Sequence, residues 1–191
     1  MSDQPTAALS VAPLAVGVVG AGTMGTGIAQ VCLQAGHEVV LYDVDHAAIE
    51  RGRAGVADGL ARLVEKGRIT HAQRASALAA LREAHTLEAL AGETDVVIEA
   101  ALEDLDLKRT IFRALASSAR EDTILATNTS ALSVTDIAQA AVHLDRVLGL
   151  HFFNPAPIMP LVEVVSGEQT SQQTLEAGAR FVTALGKTAV V

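Results

Sequence analysis

The chain has one cysteine and very few aromatic residues, and both shortages limit the classes of protein to which it can belong. Cys32 is the only Cys among 191 residues, which excludes a disulfide framework and a site built from several cysteines, and it fits a reducing cytoplasm. Trp is absent and aromatics make up 3% of the residues, so the core must consist of Ala, Val, Leu and Ile. With 50% hydrophobic and 19% charged residues, the composition is that of a folded domain.

Positive charge is also scarce. The chain has 14 Lys and Arg against 22 Asp and Glu, a net charge of −8. Binding a phosphate backbone or an anionic membrane requires a basic face, so nucleic acid and membranes are excluded as main partners. Residues 4–37 contain no Asp, Glu, Lys or Arg, but six glycines in this stretch argue against a membrane span. No basic segment of a signal peptide precedes it, so we expect a cytoplasmic protein, with residues 1–13 as a disordered tail.

Short apolar runs alternate with segments of helical periodicity along the rest of the chain. The alternation predicts an α/β fold, a doubly wound and mostly parallel sheet covered by helices, in one domain of residues 14–191. The predicted strands are 14–20, 38–43, 94–101, 123–127, 146–152, 161–167 and 187–191. Residues 46–84 are predicted to be a helical excursion after the second strand, with Thr70 as the N-cap of its second helix. Such sheets bind ligands where their strands end, so functional residues should follow the strands.

The first strand runs directly into the glycine-rich sequence GAGTMG. Gly20 allows a tight turn, Gly22 lets backbone amides approach a pyrophosphate, and Gly25 lets the next helix pack on the strand. The N-terminus of that helix would offer free N–H groups to the phosphates. The predicted cofactor contacts in this loop are Gly20, Gly22, Thr23, Met24 and Gly25.

Asp43 ends the second strand about 20 residues later, which is the spacing found in Rossmann-like dinucleotide-binding domains. Its carboxylate can accept hydrogen bonds from the adenosine ribose hydroxyls and would repel a 2′-phosphate, so the predicted cofactor is NAD rather than NADP. Asp43 could instead be only a turn residue or the N-cap of the next helix, a role for which Asp45 competes.

Half of the basic residues lie within residues 51–82, which carry a local charge of +5. Arg62 and Lys66 are four residues apart and would share one helix face, where they could bind an anion together. A solvated helix face is the plainer interpretation of such a charge run. A substrate that carries a polyphosphate is the alternative.

The stretch GLHFFNPAPIMPLVEVV, residues 149–165, places three polar side chains in an otherwise apolar run. Histidine titrates near neutral pH, so His151 could accept a hydroxyl proton while a hydride leaves the same carbon. A carboxylate such as Glu163 on the other ring nitrogen would fix the tautomer, and Asn154 could donate to the developing carbonyl oxygen. A lone histidine after a strand is more often structural, but this combination with the glycine loop favours catalysis.

Six blocks in order resemble the NAD-binding domain of the L-3-hydroxyacyl-CoA dehydrogenases, which include 3-hydroxybutyryl-CoA dehydrogenases. They are GAGTMGTGIA, LYDVD, LVEKGRIT, VVIEAALEDLDLK, ATNTSALSV and GLHFFNPAPIMPLVEVV. The resemblance implies an NAD-dependent oxidoreductase that converts a (3S)-3-hydroxyacyl-CoA to the 3-ketoacyl-CoA. The wording of EAALED and HFFNPAPIMPLVEVVSG is also similar to the branch that serves phenylacetate breakdown, although fatty-acid oxidation (beta-oxidation) uses the same chemistry.

The resemblance also implies roles for single residues and reverses the interpretation of the basic patch. The roles are CoA contacts for Arg62 and Lys66, cofactor contacts for Glu103, Lys108 and Ser130, contacts to the substrate oxygen for Ser130 and Asn154, and general base with its orienting carboxylate for His151 and Glu163. Two alternatives stay open. Ser130 could cap the next helix, for which Ser133 is an equal candidate, and Glu103 with Lys108 could be an ordinary helix pair.

The sequence departs from the family in two respects. Family members continue into an all-helical domain that completes the cleft and forms the dimer interface, whereas this chain stops at Val191. We therefore expect a fragment without the C-terminal helical domain, able to bind NAD but inactive alone, and a homodimer for the full-length enzyme. Pro160 stands where many relatives have Lys, which removes a charge beside the cleft.

Two other functions would explain part of this pattern. A dehydrogenase of a small hydroxy acid or sugar acid would explain the glycine loop and His151 but leave the basic patch unused. A non-catalytic NAD-binding module is the other rival. The sequence favours an NAD-dependent 3-hydroxyacyl-CoA dehydrogenase with a CoA thioester substrate, and no metal is predicted because no set of His, Asp and Glu has metal-site spacing.

Overall fold

The computed structural model describes residues 13–191, and a sheet of eight strands runs through this part of the protein. The strands are β1 (Ala15–Val19), β2 (Glu38–Tyr42), β3 (Leu81–Glu83), β4 (Val96–Glu99), β5 (Ile124–Thr127), β6 (Val147–Phe152), β7 (Leu161–Ser166) and β8 (Thr188–Val190). The central strands β1, β4 and β5 are almost wholly buried, as expected of apolar strands covered on both faces. Apart from Pro13, the predicted disordered tail lies outside the described residues.

The strand order in the sheet is β3-β2-β1-β4-β5-β6-β7-β8. Strands β1 to β6 are parallel, β7 is antiparallel to β6, and β8 is parallel to β7. The chain winds from β1 toward one edge and then returns to the other side of β1 at β4. This confirms the doubly wound, Rossmann-like fold, whose ligand crevice lies between the carboxyl ends of β1 and β4.

Seven α-helices cover the sheet within residues 13–191. They are α1 (Thr23–Gln34), α2 (His46–Glu65), α3 (His71–Ala79), α4 (Leu87–Glu93), α5 (Leu105–Ala116), α6 (Val134–Ala138) and α7 (Gln172–Ala184). Helices α1, α2, α3 and α7 share one core that includes Leu60 and Phe181, and α4, α5 and α6 share a second that includes Phe112 and Ile137. None of these described helices is both long enough and apolar enough to cross a bilayer.

The excursion after β2 begins with a hairpin of α2 and α3. Thr70 caps α3 as predicted: Thr70 Oγ1 accepts the backbone N–H of Gln73 at 3.1 Å, and Gln73 Oε1 accepts that of Thr70 at 2.8 Å. Glycines on α2 let it lie close to α1. A Cβ on Gly52 would lie 3.2 Å from Thr26 Oγ1 and 3.3 Å from the backbone oxygen of Ala21, a tighter approach than most Cβ atoms have.

The C-terminal end of the excursion differs from the prediction. Residues 81–83 form the strand β3, which pairs with β2 at the sheet edge, and the seven-residue helix α4 follows. Neither element was predicted. An edge strand of three residues that includes Arg82 and Glu83 has no apolar run, and α4 is too short to show helical periodicity. The start of α4 is marked only by Thr86, whose hydroxyl accepts the N–H of Ala89 at 3.1 Å.

Candidate active site

A cavity of about 320 Å³ opens where strands β4, β5 and β6 end. Its lining residues are Met24, Ala100, Ala101, Glu103, Asn128, Ser130, His151, Phe152, Phe153 and Asn154. Five residues predicted from sequence, Met24, Glu103, Ser130, His151 and Asn154, are therefore brought together from four separate segments. They converge because the carboxyl ends of parallel strands meet at one edge of the sheet.

The three glycines after β1 have distinct structural reasons. Gly20 has a φ of +98°, a conformation that other residues rarely adopt. A Cβ on Gly25 would collide with the carbonyl oxygen of Gly20, so this position requires glycine if α1 is to start where it does. Gly22 is different, because a Cβ there would meet no atom of the described residues within 4 Å. The space at Gly22 suits the close approach of a pyrophosphate to the backbone.

The N-terminus of α1 is open. No side chain caps it, whereas each of the other six α-helices in the described part of the chain has an Asp, Ser or Thr whose side chain accepts an N–H of its first turn. The first N–H groups of α1, at Thr23 and Met24, are therefore available to an anion. Together with the space at Gly22, this is the geometry of a phosphate site.

Asp43 lies beside the glycine loop and does not cap a helix. Its Oδ2 accepts the N–H of Ala21 at 2.8 Å, and its Oδ1 accepts the N–H of Asp45 at 2.9 Å. The cap of α2 is Asp45, whose side chain accepts the N–H of Ala47. The alternative in which Asp43 caps α2 is therefore wrong, whereas its bond to Asp45 N is a turn contact. A carboxylate oxygen has two lone pairs, so Asp43 keeps acceptor capacity for ribose hydroxyls.

The register of β6 and β7 places His151 directly opposite Glu163. His151 Nδ1 lies 2.8 Å from Glu163 Oε2, and the imidazole, 18% exposed, packs against the ring of Phe153 at a centroid distance of 4.5 Å. A carboxylate at Nδ1 places the proton of the neutral ring on that nitrogen, which leaves Nε2 as a proton acceptor. The pair thus has the arrangement of a general base and its orienting acid.

Asn128 was missed by the sequence analysis. It follows β5 and lines the cavity, and its Oδ1 accepts the N–H of Phe152 at 2.9 Å. This bond ties the end of β5 to the end of β6, one residue after His151. The available signal was its position: Asn128 is the first residue after a buried strand, where polar groups of such sheets gather.

Glu103 gathers the loop that follows β5. Its Oε1 accepts hydrogen bonds from Thr129 Oγ1 at 2.6 Å, from Ser130 N at 2.9 Å and from Ser130 Oγ at 3.3 Å. Partial burial raises the pKa of Glu103, but these bonds and the nearby ammonium of Lys108 outweigh it, and the pKa lies below its usual value. Ser130 does not cap α6, because Ser133 does so by accepting the N–H of Asp136. Glu103 thereby holds Ser130 at the cavity.

Lys108 is placed differently from the expected cofactor contact. Its side chain is fully buried and pairs with Glu99, also fully buried, at 2.8 Å and 2.9 Å, and its Nζ lies 3.5 Å from Glu103 Oε2. Glu99 additionally accepts hydrogen bonds from Ala101 N and Thr127 Oγ1, each at 2.7 Å. With no exposed atom, Lys108 supports Glu103 from below and presents nothing to a ligand. Glu99 was not predicted, since its partners lie on other elements.

Arg62 and Lys66 lie at the C-terminal end of α2, outside the residues that line the cavity. Both are exposed, and no carboxylate of the described residues lies within ion-pair distance of either. The structure also brings together three residues that were not expected to meet.

The potential metal-ligand atoms of His46 and Glu50 on α2 and of Glu83 at the end of β3 come within 4.8 Å of one another.

A doubly wound sheet with an open helix N-terminus, an acid at the end of β2 and a His–Glu pair beside the crevice defines the NAD-binding domain of a dehydrogenase. Residues 15–191 match the family described as "3-hydroxyacyl-CoA dehydrogenase, NAD binding domain". The chain belongs to this family.

Individual relatives agree with that assignment. The chain is 42% identical over 176 residues to a 3-hydroxybutyryl-CoA dehydrogenase of Bradyrhizobium diazoefficiens, covering 92% of this chain and 60% of that protein. It is 43% identical over 172 residues to the 3-hydroxyadipyl-CoA dehydrogenase of Escherichia coli, covering 90% and 36%. The crystal structure of (S)-3-hydroxybutyryl-CoA dehydrogenase PaaH1 from Ralstonia eutropha superposes with a TM-score of 0.88 at 45% identity, covering 92% and 62%. The chain thus spans less than two thirds of each relative.

Proposed function

We propose that the protein to which this chain belongs oxidises (3S)-3-hydroxyacyl-CoA thioesters to 3-ketoacyl-CoA with NAD as acceptor. The observation that carries the proposal is the contact of 2.8 Å between His151 Nδ1 and Glu163 Oε2 beside the cavity. It provides a base for the hydroxyl proton at the edge of the sheet where the nicotinamide end of a dinucleotide would lie.

The residues around the glycine loop fit NAD. The open N-terminus of α1 and the free space at Gly22 suit the pyrophosphate, and Asp43 suits the ribose hydroxyls. Bound NAD supplies an acceptor for the hydride from C3 of the substrate. Met24 and Glu103 line the cavity beyond the loop and would border the nicotinamide.

His151 moves the proton. As the C3–H bond breaks and its electron pair leaves as hydride, the proton of the 3-hydroxyl passes to Nε2 of His151, and the C–O bond becomes a carbonyl. Glu163 then stabilises the imidazolium through Nδ1. In the reverse direction the same imidazolium returns the proton to the carbonyl oxygen.

Ser130 and Asn154 would contact the reacting oxygen. Both line the cavity with His151, and each can donate a hydrogen bond without adding a titratable group. Glu103 fixes Ser130 through its backbone N–H and its hydroxyl, so the orientation of Ser130 does not depend on the substrate alone.

Arg62 and Lys66 would bind the phosphates of CoA, because both are exposed and free of acidic partners among the described residues. Reversal of both charges, Arg62→Glu with Lys66→Glu, is expected to raise the KM for acetoacetyl-CoA by at least about tenfold and leave the NADH Kd unchanged. Steady-state kinetics and NADH fluorescence titration measure these quantities. Arg180→Glu on α7 is the matched control. An unchanged KM would mean that the pair is only a solvated helix face.

The substrate class is tested with the full translation product, that is, the full-length protein to which this chain belongs. NADH consumption is followed with acetoacetyl-CoA and, as the control without CoA, with acetoacetate. We expect turnover of the thioester alone. Turnover of acetoacetate at the same rate would favour a dehydrogenase of small hydroxy acids, and a folded protein that binds NADH without any turnover would favour a non-catalytic module.

Three finer assignments belong to the same proposal. Oxidation of 3-hydroxybutyryl-CoA compared with 3-hydroxyadipyl-CoA tests whether the acyl group resembles those named for the relatives. We further propose that the protein is cytoplasmic, because its single Cys32 is buried and unpaired. We also propose that it is a homodimer. Light scattering of the full translation product measures the oligomeric state, and a monomer would contradict the dimer.

A further inference from the structure

Lys187 holds the loop between β6 and β7 from outside the cavity. It lies directly before β8, and its Nζ donates to the carbonyl oxygen of Ala156 at 2.8 Å and to that of Met159 at 2.7 Å. The next residue, Thr188, donates its N–H to the carbonyl of Pro160 at 2.7 Å. A single strand end thus binds three carbonyls of the same loop.

Hydrogen bonds within the loop and packing against a helix also restrict its conformation. The N–H groups of Ile158 and Met159 both turn back to the carbonyl of Pro155, at 2.9 Å and 3.0 Å. The loop also packs on α1, where a Cβ on Gly27 would lie 3.2 Å from Ala156 and Pro157. The loop is therefore held both by α1 and by the ammonium of Lys187.

The ammonium itself is unusual in its partners. Lys187 is half-buried, and no carboxylate of residues 13–191 lies within ion-pair distance of its Nζ. Burial lowers its pKa, with a small opposing effect from Cys32. Its charge-assisted hydrogen bonds to the two carbonyls offset the cost of partly burying the ammonium, and such bonds are stronger than those between neutral groups.

The held loop carries the proposed site. Asn154 lies within the loop, His151 is the last residue but one of the strand that enters it, and Glu163 lies in the strand that leaves it. We infer that Lys187 is a positioning residue, which fixes Asn154 and the approach of β6 and β7 by binding the carbonyls of Ala156 and Met159. The inference rests on the proposed function, since the atoms it positions are those of the proposed reaction.

The test compares Lys187→Met, which keeps length but cannot donate, with Lys187→Arg, which keeps donors and charge, in the full translation product. Lys187→Met is expected to lower kcat for acetoacetyl-CoA reduction by about tenfold to a hundredfold, as a small misplacement of reacting groups does. The NADH Kd should be unchanged, because the glycine loop lies elsewhere. Lys187→Arg should recover most of the rate, and Arg180→Met, an exposed residue of α7, should behave as wild type.

Hydrogen exchange at the amides of Ile158 and Met159 is measured on the same proteins. Positioning predicts faster exchange at these amides in Lys187→Met, with the rest of the sheet and Tm unchanged. An unchanged kcat, or a loss of kcat that follows a lowered Tm with exchange raised throughout the sheet, would overturn the inference. If wild type does not reduce acetoacetyl-CoA, the proposed function fails, and unaltered loop exchange would then overturn the role of Lys187 separately.

Discussion

At the scale of single residues, the carboxylate of Glu163 determines which nitrogen of His151 can take a proton. The contact at Nδ1 leaves Nε2 as the acceptor, so the assignment of the base follows from a single distance of 2.8 Å. Both residues interrupt one apolar stretch, and the family resemblance together with the chemistry of hydride transfer predicted them as base and orienting carboxylate. Asn128 was missed although it directly follows a buried strand, whereas Glu99 could not be predicted because its partners lie on other elements. The cofactor contact expected for Lys108 came from the family resemblance, which does not reveal that this side chain is fully buried.

Glu103 is expected to make stability depend on pH. Its folded-state pKa lies below the usual 4.5, so its carboxylate stabilises the fold above the unfolded pKa, and this contribution is lost as the pH falls through the folded value. Glu103→Gln should therefore lower the free energy of unfolding at neutral pH, and its difference from wild type should narrow below about pH 4.5. Urea denaturation at several pH values measures this. Glu168→Gln, an exposed control, should change little, and a difference that is constant with pH would contradict the account.

At the scale of elements, the reversal of β7 is what completes the site. Strands β1 to β6 deliver loops to one edge, but only an antiparallel β7 can set Glu163 opposite His151. The sequence predicted most helices and strands, since each has a periodic pattern or a cap. It missed β3 and α4, which are three and seven residues long, because elements this short take their structure from tertiary contacts.

Two glycines of one loop should separate folding from cofactor binding. Gly25→Ala places a Cβ against the carbonyl of Gly20, so we expect a loss of about 1–3 kcal/mol of unfolding free energy. Gly22→Ala meets no protein atom, so its stability should match wild type while its NADH Kd rises about tenfold, because the new Cβ enters the space for the pyrophosphate. Chemical denaturation and NADH fluorescence titration give the two quantities. An unchanged NADH Kd in Gly22→Ala would contradict a pyrophosphate site at this position.

At the scale of the whole molecule, a buried ion pair connects one core to the cavity. Glu99 of β4 and Lys108 of α5 lie at the sheet face covered by α4, α5 and α6, and Lys108 reaches Glu103 at the cavity rim. A composition poor in aromatic residues and charge gave no sign of such a pair. Its partners are nine residues apart, on a strand and the helix that packs against it, so only the fold brings them together.

Removing one partner of this pair should lower the free energy of unfolding more than removing both. Lys108→Met leaves the carboxylate of Glu99 buried and unpaired, with an expected loss of about 3–5 kcal/mol. Adding Glu99→Gln removes the charge yet keeps an amide for Ala101 N and Thr127 Oγ1, so the double variant should recover most of the loss. Urea denaturation measures both, with Glu176→Gln in the exposed pair with Arg180 as control. A double variant no more stable than Lys108→Met would contradict this.

The central claim is that His151 exchanges the proton while NAD binds independently. The most direct measurement is the rate of NADH consumption with acetoacetyl-CoA by the full translation product carrying His151→Gln, compared with wild type at equal NADH saturation. We expect a loss of about 10²–10⁴-fold in kcat with the NADH Kd unchanged. Turnover of His151→Gln at the wild-type rate would contradict it.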